Sequence, residues 1–149
     1  MGWEIHLHLL AAVSWIGGSV FMFILGISIR DKGDKDKVYP IIGPIFGFFE
    51  IGSLITLVTT GVLMIIDNGL ITILFDDSIH NRVIDSLRYK LILVAIMAII
   101  TILHTYIAFK TNGKKRTKME MLISRASSMG IFILNFIILH FAIVIRDTL

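Results

Sequence analysis

The chain has 149 residues, of which 56% are hydrophobic and 17% charged, and its formal net charge is +3. A soluble domain carries about 25% charged residues, so this composition excludes an ordinary soluble enzyme as well as a disordered chain. The sequence contains no cysteine, which excludes disulfide scaffolds, thiolate metal sites and iron–sulfur clusters. No basic stretch interleaved with aromatic residues indicates nucleic-acid binding.

Four apolar stretches are long enough to cross a membrane, which takes about 20 helical residues. In chain order they predict transmembrane helices over about 5–29, 39–66, 89–110 and 122–146. Residues 67–88 predict an outer loop that contains a short amphipathic helix, because its apolar residues follow helical spacing. We therefore predict an all-α protein, an integral membrane four-helix bundle that forms one transmembrane domain over 1–149.

The distribution of basic residues predicts how the bundle is oriented. Four spans place both termini on the same side of the membrane. Most of the 14 Lys and Arg residues lie in the loops after the first and third helices, namely Arg30, Lys32, Lys35, Lys37, Lys110, Lys114, Lys115, Arg116, Lys118 and Arg125. Short loops rich in Lys and Arg stay in the cytoplasm, so both termini are expected on the outer, periplasmic side of the inner membrane.

Ionisable side chains inside the predicted spans are candidates for function, because such groups are costly in lipid. At the helical rise, His8 and His140 lie roughly 5 and 8 Å from the outer ends of the first and last spans. Two imidazoles at similar depth on facing helices are the axial ligands that a six-coordinate haem iron needs. The sequence therefore predicts a b-type haem held by His8 and His140.

Basic residues near the outer ends of the spans extend this hypothesis. Arg88, Lys90 and Arg146 are expected to pair with the haem propionates. The predicted function is electron transfer or redox chemistry near the outer leaflet, as a haem-dependent oxidoreductase or an electron-transfer subunit. A quinone or a periplasmic electron carrier is the expected redox partner, and the chain is expected to form a homo-oligomer or to belong to a larger complex.

Three other interpretations stay open. Imidazole and thioether groups favour copper, so a copper-transport or copper-tolerance protein would use His6, His8, Met64 and His140 on the outer side. Glu50 and His104 lie deeper, where they could form an ion pair or a proton relay, or His104 could serve a second site. The remaining alternative is a structural subunit of a larger membrane complex.

The first and third spans also carry short motifs of a known family. The stretch from His8 through Trp15 to Gly17 and Gly18 resembles the first helix of the copper-resistance protein D family and of the related haem-binding membrane protoporphyrinogen oxidases. Lys90 is similar in placement to the lysine at the start of their third helix. The resemblance implies a four-helix membrane core with haem b in one branch and copper handling in the other. It also implies that His8, Trp15, Gly18 and Lys90 lie at the cofactor.

Overall fold

The computed structural model describes residues 2–110 and 117–148, without the side chains at positions 121 and 148. The described residues form helices and connecting turns, with the helices α1 Trp3–Ser28, α2 Lys32–Asp67, α3 Ile71–Leu74, α4 Arg82–Lys110 and α5 Lys118–Thr148. The helices α1, α2, α4 and α5 are long and apolar enough to cross a membrane. This confirms the prediction of an all-α chain with four long apolar helices that could span a membrane. The side on which the termini lie stays a prediction, and three of the basic residues behind it, Lys114, Lys115 and Arg116, lie outside the described residues.

Local interactions at the helix ends explain why α2 differs from its predicted bounds. Helix α2 begins at Lys32 rather than near residue 39, because the Asp31 carboxylate accepts a hydrogen bond from the Asp34 N–H and caps the first turn. At its other end, Gly69 has a φ of 66°, and the N–H groups of Gly69 and Leu70 bond back to the carbonyls of Ile66 and Ile65. This left-handed glycine terminates the helix.

The outer loop is held in place by one arginine at the start of α4. Residues 82–88 form the first turns of α4 itself, and the separate short helix of the loop is α3. All five N–H donors of the Arg88 guanidinium are used, at distances of 2.7–3.1 Å, by the carbonyls of Ile73, Leu74, Asp76 and Ile79 and by the Asp85 carboxylate. Arg88 therefore fastens the loop to α4.

Within the same loop, Asp76 forms a local turn. Its Oδ1 accepts hydrogen bonds from the hydroxyl and the backbone N–H of Ser78, at 2.6 and 2.9 Å. These bonds favour the carboxylate and hold the pKa of Asp76 below its ordinary value.

The four long helices form two antiparallel pairs that meet in a small core. Helix α1 packs along α2 and α4 packs along α5, and fewer contacts join the pairs through α1 with α5 and α2 with α4. The centre of the core holds one side chain from each long helix, Trp15, Leu54, Met97 and Ile131. Many other large apolar side chains are exposed, as expected for helices that face lipid.

Candidate functional site

His8 is half-buried between α1 and α2 and is bound to a threonine. Its Nδ1 lies 2.8 Å from Thr60 Oγ1, and the Thr60 hydroxyl donates its own proton to the Thr56 carbonyl at 2.6 Å. Because that proton is already used, His8 Nδ1–H is the donor to Thr60. The ring packs against Gly61, where an added Cβ would lie 3.4 Å from His8 Cε1.

Lys90 comes from α4 to the same outer end of the bundle. It is partly buried and close enough to His8 for their charges to interact. Among the described residues, the ion pairs are those that Asp85 makes with His80 and Arg88, so none involves Lys90. His8 and Lys90 are the two basic residues that the family resemblance places at the cofactor. They thus lie at the same end of the bundle, within electrostatic range of each other.

His140 lies elsewhere. It is exposed on α5, and its ring makes an edge contact with Phe141 at 5.6 Å between centroids. His140 follows the buried Ile131 by nine residues, which places it on the opposite face of the helix. Because His8 faces α2 and His140 faces outward, the structure does not bring the two imidazoles together.

The residues present therefore do not fit a haem held by His8 and His140 within one chain. The donors of Arg88 are all bonded to the outer loop and to Asp85, so in this arrangement none is left for a propionate, and Arg146 is exposed on α5. Within the described parts of the chain, no three His, Asp or Glu side chains are grouped so that they could hold a metal ion. Of the residues expected to bind copper, His6 is exposed and its Nδ1–H donates to the Gly2 carbonyl at 3.3 Å.

Trp15 and Gly18 contribute to helix packing. The Trp15 indole N–H donates to Asn135 Oδ1 at 2.6 Å, and Asn135 Nδ2 donates to Ser19 Oγ at 2.9 Å, which connects α1 to α5 inside the bundle. A Cβ at Gly18 would lie 2.9 Å from the Phe46 ring, so the glycine allows α2 to approach α1. Asn135 is not among the site residues predicted from the sequence, although it continues the spacing of Ser124 and Ser127 on one face of α5.

Glu50 is the one acidic residue in the middle of a span, and it faces the interior. The residue is 7% exposed, and no hydrogen-bond donor to its carboxyl group is found among the described residues. A Cβ at Gly47 would lie 4.0 Å from the Thr105 methyl group on α4. Since α2 and α4 are antiparallel, one further turn brings Glu50 level with Thr101.

The facing surface of α4 supplies two buried hydroxyl groups. Thr101 is fully buried and Thr105 nearly so, and the Oγ1 atoms of both have no hydrogen-bond partner in the described structure. A buried polar atom without a partner is destabilising and uncommon in folded proteins. Glu50 and these two threonines thus lie at a similar level on facing helices, in the middle of the bundle.

His104 continues the polar groups towards the inner side but faces α5. Its Nδ1 lies 2.8 Å from Ser127 Oγ, and the Ser127 hydroxyl donates to the Ser124 carbonyl at 3.0 Å. The structure therefore joins His104 directly to Ser127. The expected Glu50–His104 pair is not among the ion pairs and hydrogen bonds described.

Polar residues on α2 connect the middle of the bundle with its outer end. Glu50, Ser53, Thr56 and Thr60 recur at intervals of three or four residues, so they share one side of the helix. We call this set the polar face of α2. His8 is hydrogen-bonded to the outer end of this face at Thr60. From the outer to the inner side, the protonatable groups are His8 with Lys90, then Glu50, then His104.

Compared with known proteins, the chain matches no family model, and no significant match to a curated protein or to a solved structure was found. The resemblance to the copper-resistance protein D family stays a prediction. The function is therefore inferred from the residues and their arrangement.

Proposed function

We propose that the protein transfers protons across the membrane, with Glu50 as the group that takes up and releases the proton at mid-depth. The observation that carries this proposal is Glu50, a residue that is only 7% exposed and whose carboxyl group has no donor among the described residues. A carboxyl group at membrane depth is costly and is typical of proton pathways.

The polar groups near Glu50 are placed where they could accept a proton from it or pass one to it. As a carboxylic acid, Glu50 carries one O–H, and the unpartnered oxygens of Thr101 and Thr105 on the facing helix are suitable acceptors. On the outer side, Ser53 and Thr60 lead along the polar face of α2 to the imidazole of His8. On the inner side, the pair of His104 with Ser127 follows Thr101 on α4.

Hydroxyl and imidazole groups both donate and accept protons, so they can carry a proton in successive transfers. Water or side-chain rotation would complete the transfers between groups that are not in contact. A homo-oligomer, one of the assemblies expected from the sequence, would help here, because four helices alone leave little space for water.

The test is proton flux into vesicles that contain the purified protein and a pH-sensitive dye. A potassium gradient with valinomycin supplies the driving force. The wild-type chain is expected to acidify the vesicle interior faster than protein-free vesicles do. Glu50→Gln keeps the size of the side chain but removes its acidic group, so the flux should fall roughly 100-fold, as when a positioned proton-transfer group is lost.

A matched control makes the same chemical change outside the span. Glu4 lies in the first turn of α1 and accepts a bond from the Gly2 N–H, so Glu4→Gln should leave the flux unchanged. Equal flux in the Glu50→Gln and wild-type proteins, with equal thermal unfolding, would refute the proposal. So would a wild-type flux no greater than that of protein-free vesicles.

The haem-linked redox function and its copper and structural alternatives stay predictions from the sequence. An absorbance spectrum of the purified protein separates them. A b-type haem gives reduced-minus-oxidised bands that His8→Ala would remove, whereas a copper(I) protein or a structural subunit is colourless.

A further inference from the structure

We propose that the groove between α1 and α2 binds the head group of a lipid-soluble quinone. The groove has a volume of about 430 Å³, which lies within the range of about 300–1,000 Å³ for small-molecule sites. It opens outward, since its rims include Leu10 and Phe48, which are 64% and 72% exposed. In a membrane-spanning bundle, such an opening faces lipid.

The floor of the groove carries hydroxyl groups that are free to bind a ligand. Serine and threonine in helices commonly bond back to the carbonyl four residues earlier, as Thr56 does with Gly52 at 2.8 Å. Ser53 is only 9% exposed, lines the groove, and has no hydrogen-bond partner in the described structure. Ser14 lines the groove from the facing helix and likewise has none among the described residues.

The depth of these serines limits the chemistry of the ligand. Ser14 lies eleven residues after the start of α1 at Trp3, about 17 Å along the helix. The head group of a phospholipid or the carboxylate of a fatty acid stays at the membrane surface, because charge is costly at this depth. A ligand that reaches both hydroxyls must therefore be neutral, soluble in lipid and equipped with a hydrogen-bond acceptor.

A quinone meets these requirements. Its carbonyl oxygens can accept from Ser14 and Ser53, its isoprenoid tail can leave through the open side, and the rings of Phe48 and Phe49 line the groove for contact with the flat head group. The inference goes beyond proton transfer by Glu50 and does not rest on it, since Glu50 does not line the groove.

The experiment uses the full chain in phosphatidylcholine nanodiscs and a short-tailed azido-ubiquinone as the photoreactive probe. Mass spectrometry should find the label in residues 7–14 and 48–56, and decylubiquinone should displace it. Ser53→Ala should weaken this displacement about fivefold, as expected for one lost hydrogen bond.

Two glycines on α2 provide a matched pair of variants. A Cβ at Gly52 or at Gly43 would meet no atom within 4 Å, so both positions accept a larger side chain. Gly52 lines the groove and Gly43 does not. Gly52→Leu should therefore fill the groove and reduce labelling to background, whereas Gly43→Leu should label like the wild type.

Either of two results would overturn the proposal. One is unchanged labelling in Gly52→Leu. The other is displacement of the probe by stearic acid as effectively as by decylubiquinone, which would identify the groove as a slot for acyl chains. The proton-flux assay contains no quinone, so failure here would leave the proposed function of Glu50 standing.

Discussion

At the scale of single residues, the helices are joined by hydrogen bonds between their side chains as well as by a small apolar core. Helices in lipid gain no hydrophobic free energy by associating, so close packing and polar contacts hold them together. Trp15, Asn135 and Ser19 form such a contact between α1 and α5. His8 with Thr60 and His104 with Ser127 do the same for the pairs α1–α2 and α4–α5.

The Trp15–Asn135–Ser19 contact leads to a stability prediction. Asn135→Leu keeps the number and branching of the side-chain heavy atoms but removes both hydrogen bonds and leaves the Trp15 N–H without its acceptor. The free energy of unfolding should fall by about 1–2 kcal/mol, given the measured strength of hydrogen bonds between membrane helices. Thermal or detergent-induced unfolding of the purified protein measures the change.

Trp15→Phe provides a graded comparison for this prediction, because it removes the indole N–H but leaves the Asn135–Ser19 bond in place. It also makes the side chain smaller. The part of the stability loss that comes from the smaller volume is therefore subtracted before Trp15→Phe is compared with Asn135→Leu. If Asn135→Leu unfolds at the same denaturant concentration as the wild type, the contact does not stabilise the bundle.

At the scale of helices, glycine positions decide how closely two elements approach. Gly18 faces the Phe46 and Phe49 rings of α2, and Gly47 faces Phe109 of α4, with clearances below 3.5 Å for an added Cβ. Gly17 and Gly43 meet no atom within 4 Å. Small residues at contact faces are typical of membrane helix pairs, and here glycines in contact and glycines in open space occur along the same helices.

Adjacent glycines on α1 give a direct test of this packing. Gly18→Leu should push α1 away from the rings of α2 and reduce the free energy of unfolding by about 1–3 kcal/mol, the usual cost of overpacking. Gly17→Leu places the same side chain one residue earlier, in open space, and should unfold like the wild type. Equal unfolding curves for the two variants would contradict the packing described for α1 and α2.

At the scale of the whole molecule, the buried core is small and many large apolar side chains are exposed. A lipid environment satisfies these surfaces, and the backbone of each span is bonded within its own helix. The charged residues are concentrated at the helix ends and in the loops, so the charge of the loops is expected to set the orientation.

The orientation can be tested by labelling single introduced cysteines, because the chain has no cysteine of its own that would react with the label. The basic segment at the start of α2 is expected inside the cell and the loop after α2 outside. A membrane-impermeant maleimide should therefore label Asp77→Cys in intact cells and Lys35→Cys only after lysis. The reverse pattern would place both termini in the cytoplasm.

The sequence alone determined the helical class and the number and approximate limits of the spans. These follow from the length of each apolar stretch, since a helix of about 20 apolar residues fits the membrane. It also located the residues that can take part in proton transfer or ligand binding, because ionisable groups within a span are rare. These residues are His8, Glu50, Lys90 and His104. Depth along each helix follows from residue number at 1.5 Å per residue.

Only the tertiary structure decided which of these side chains face one another. Asn135 and His140 are five residues apart, so they point about 140° away from each other; the neighbouring helices cover Asn135 and leave His140 exposed. Arg88 similarly binds the loop rather than a ligand, because the turn around α3 brings four carbonyl groups to it. The contacts between helices set the rotation of each helix about its axis, and residue spacing within one helix does not contain that information.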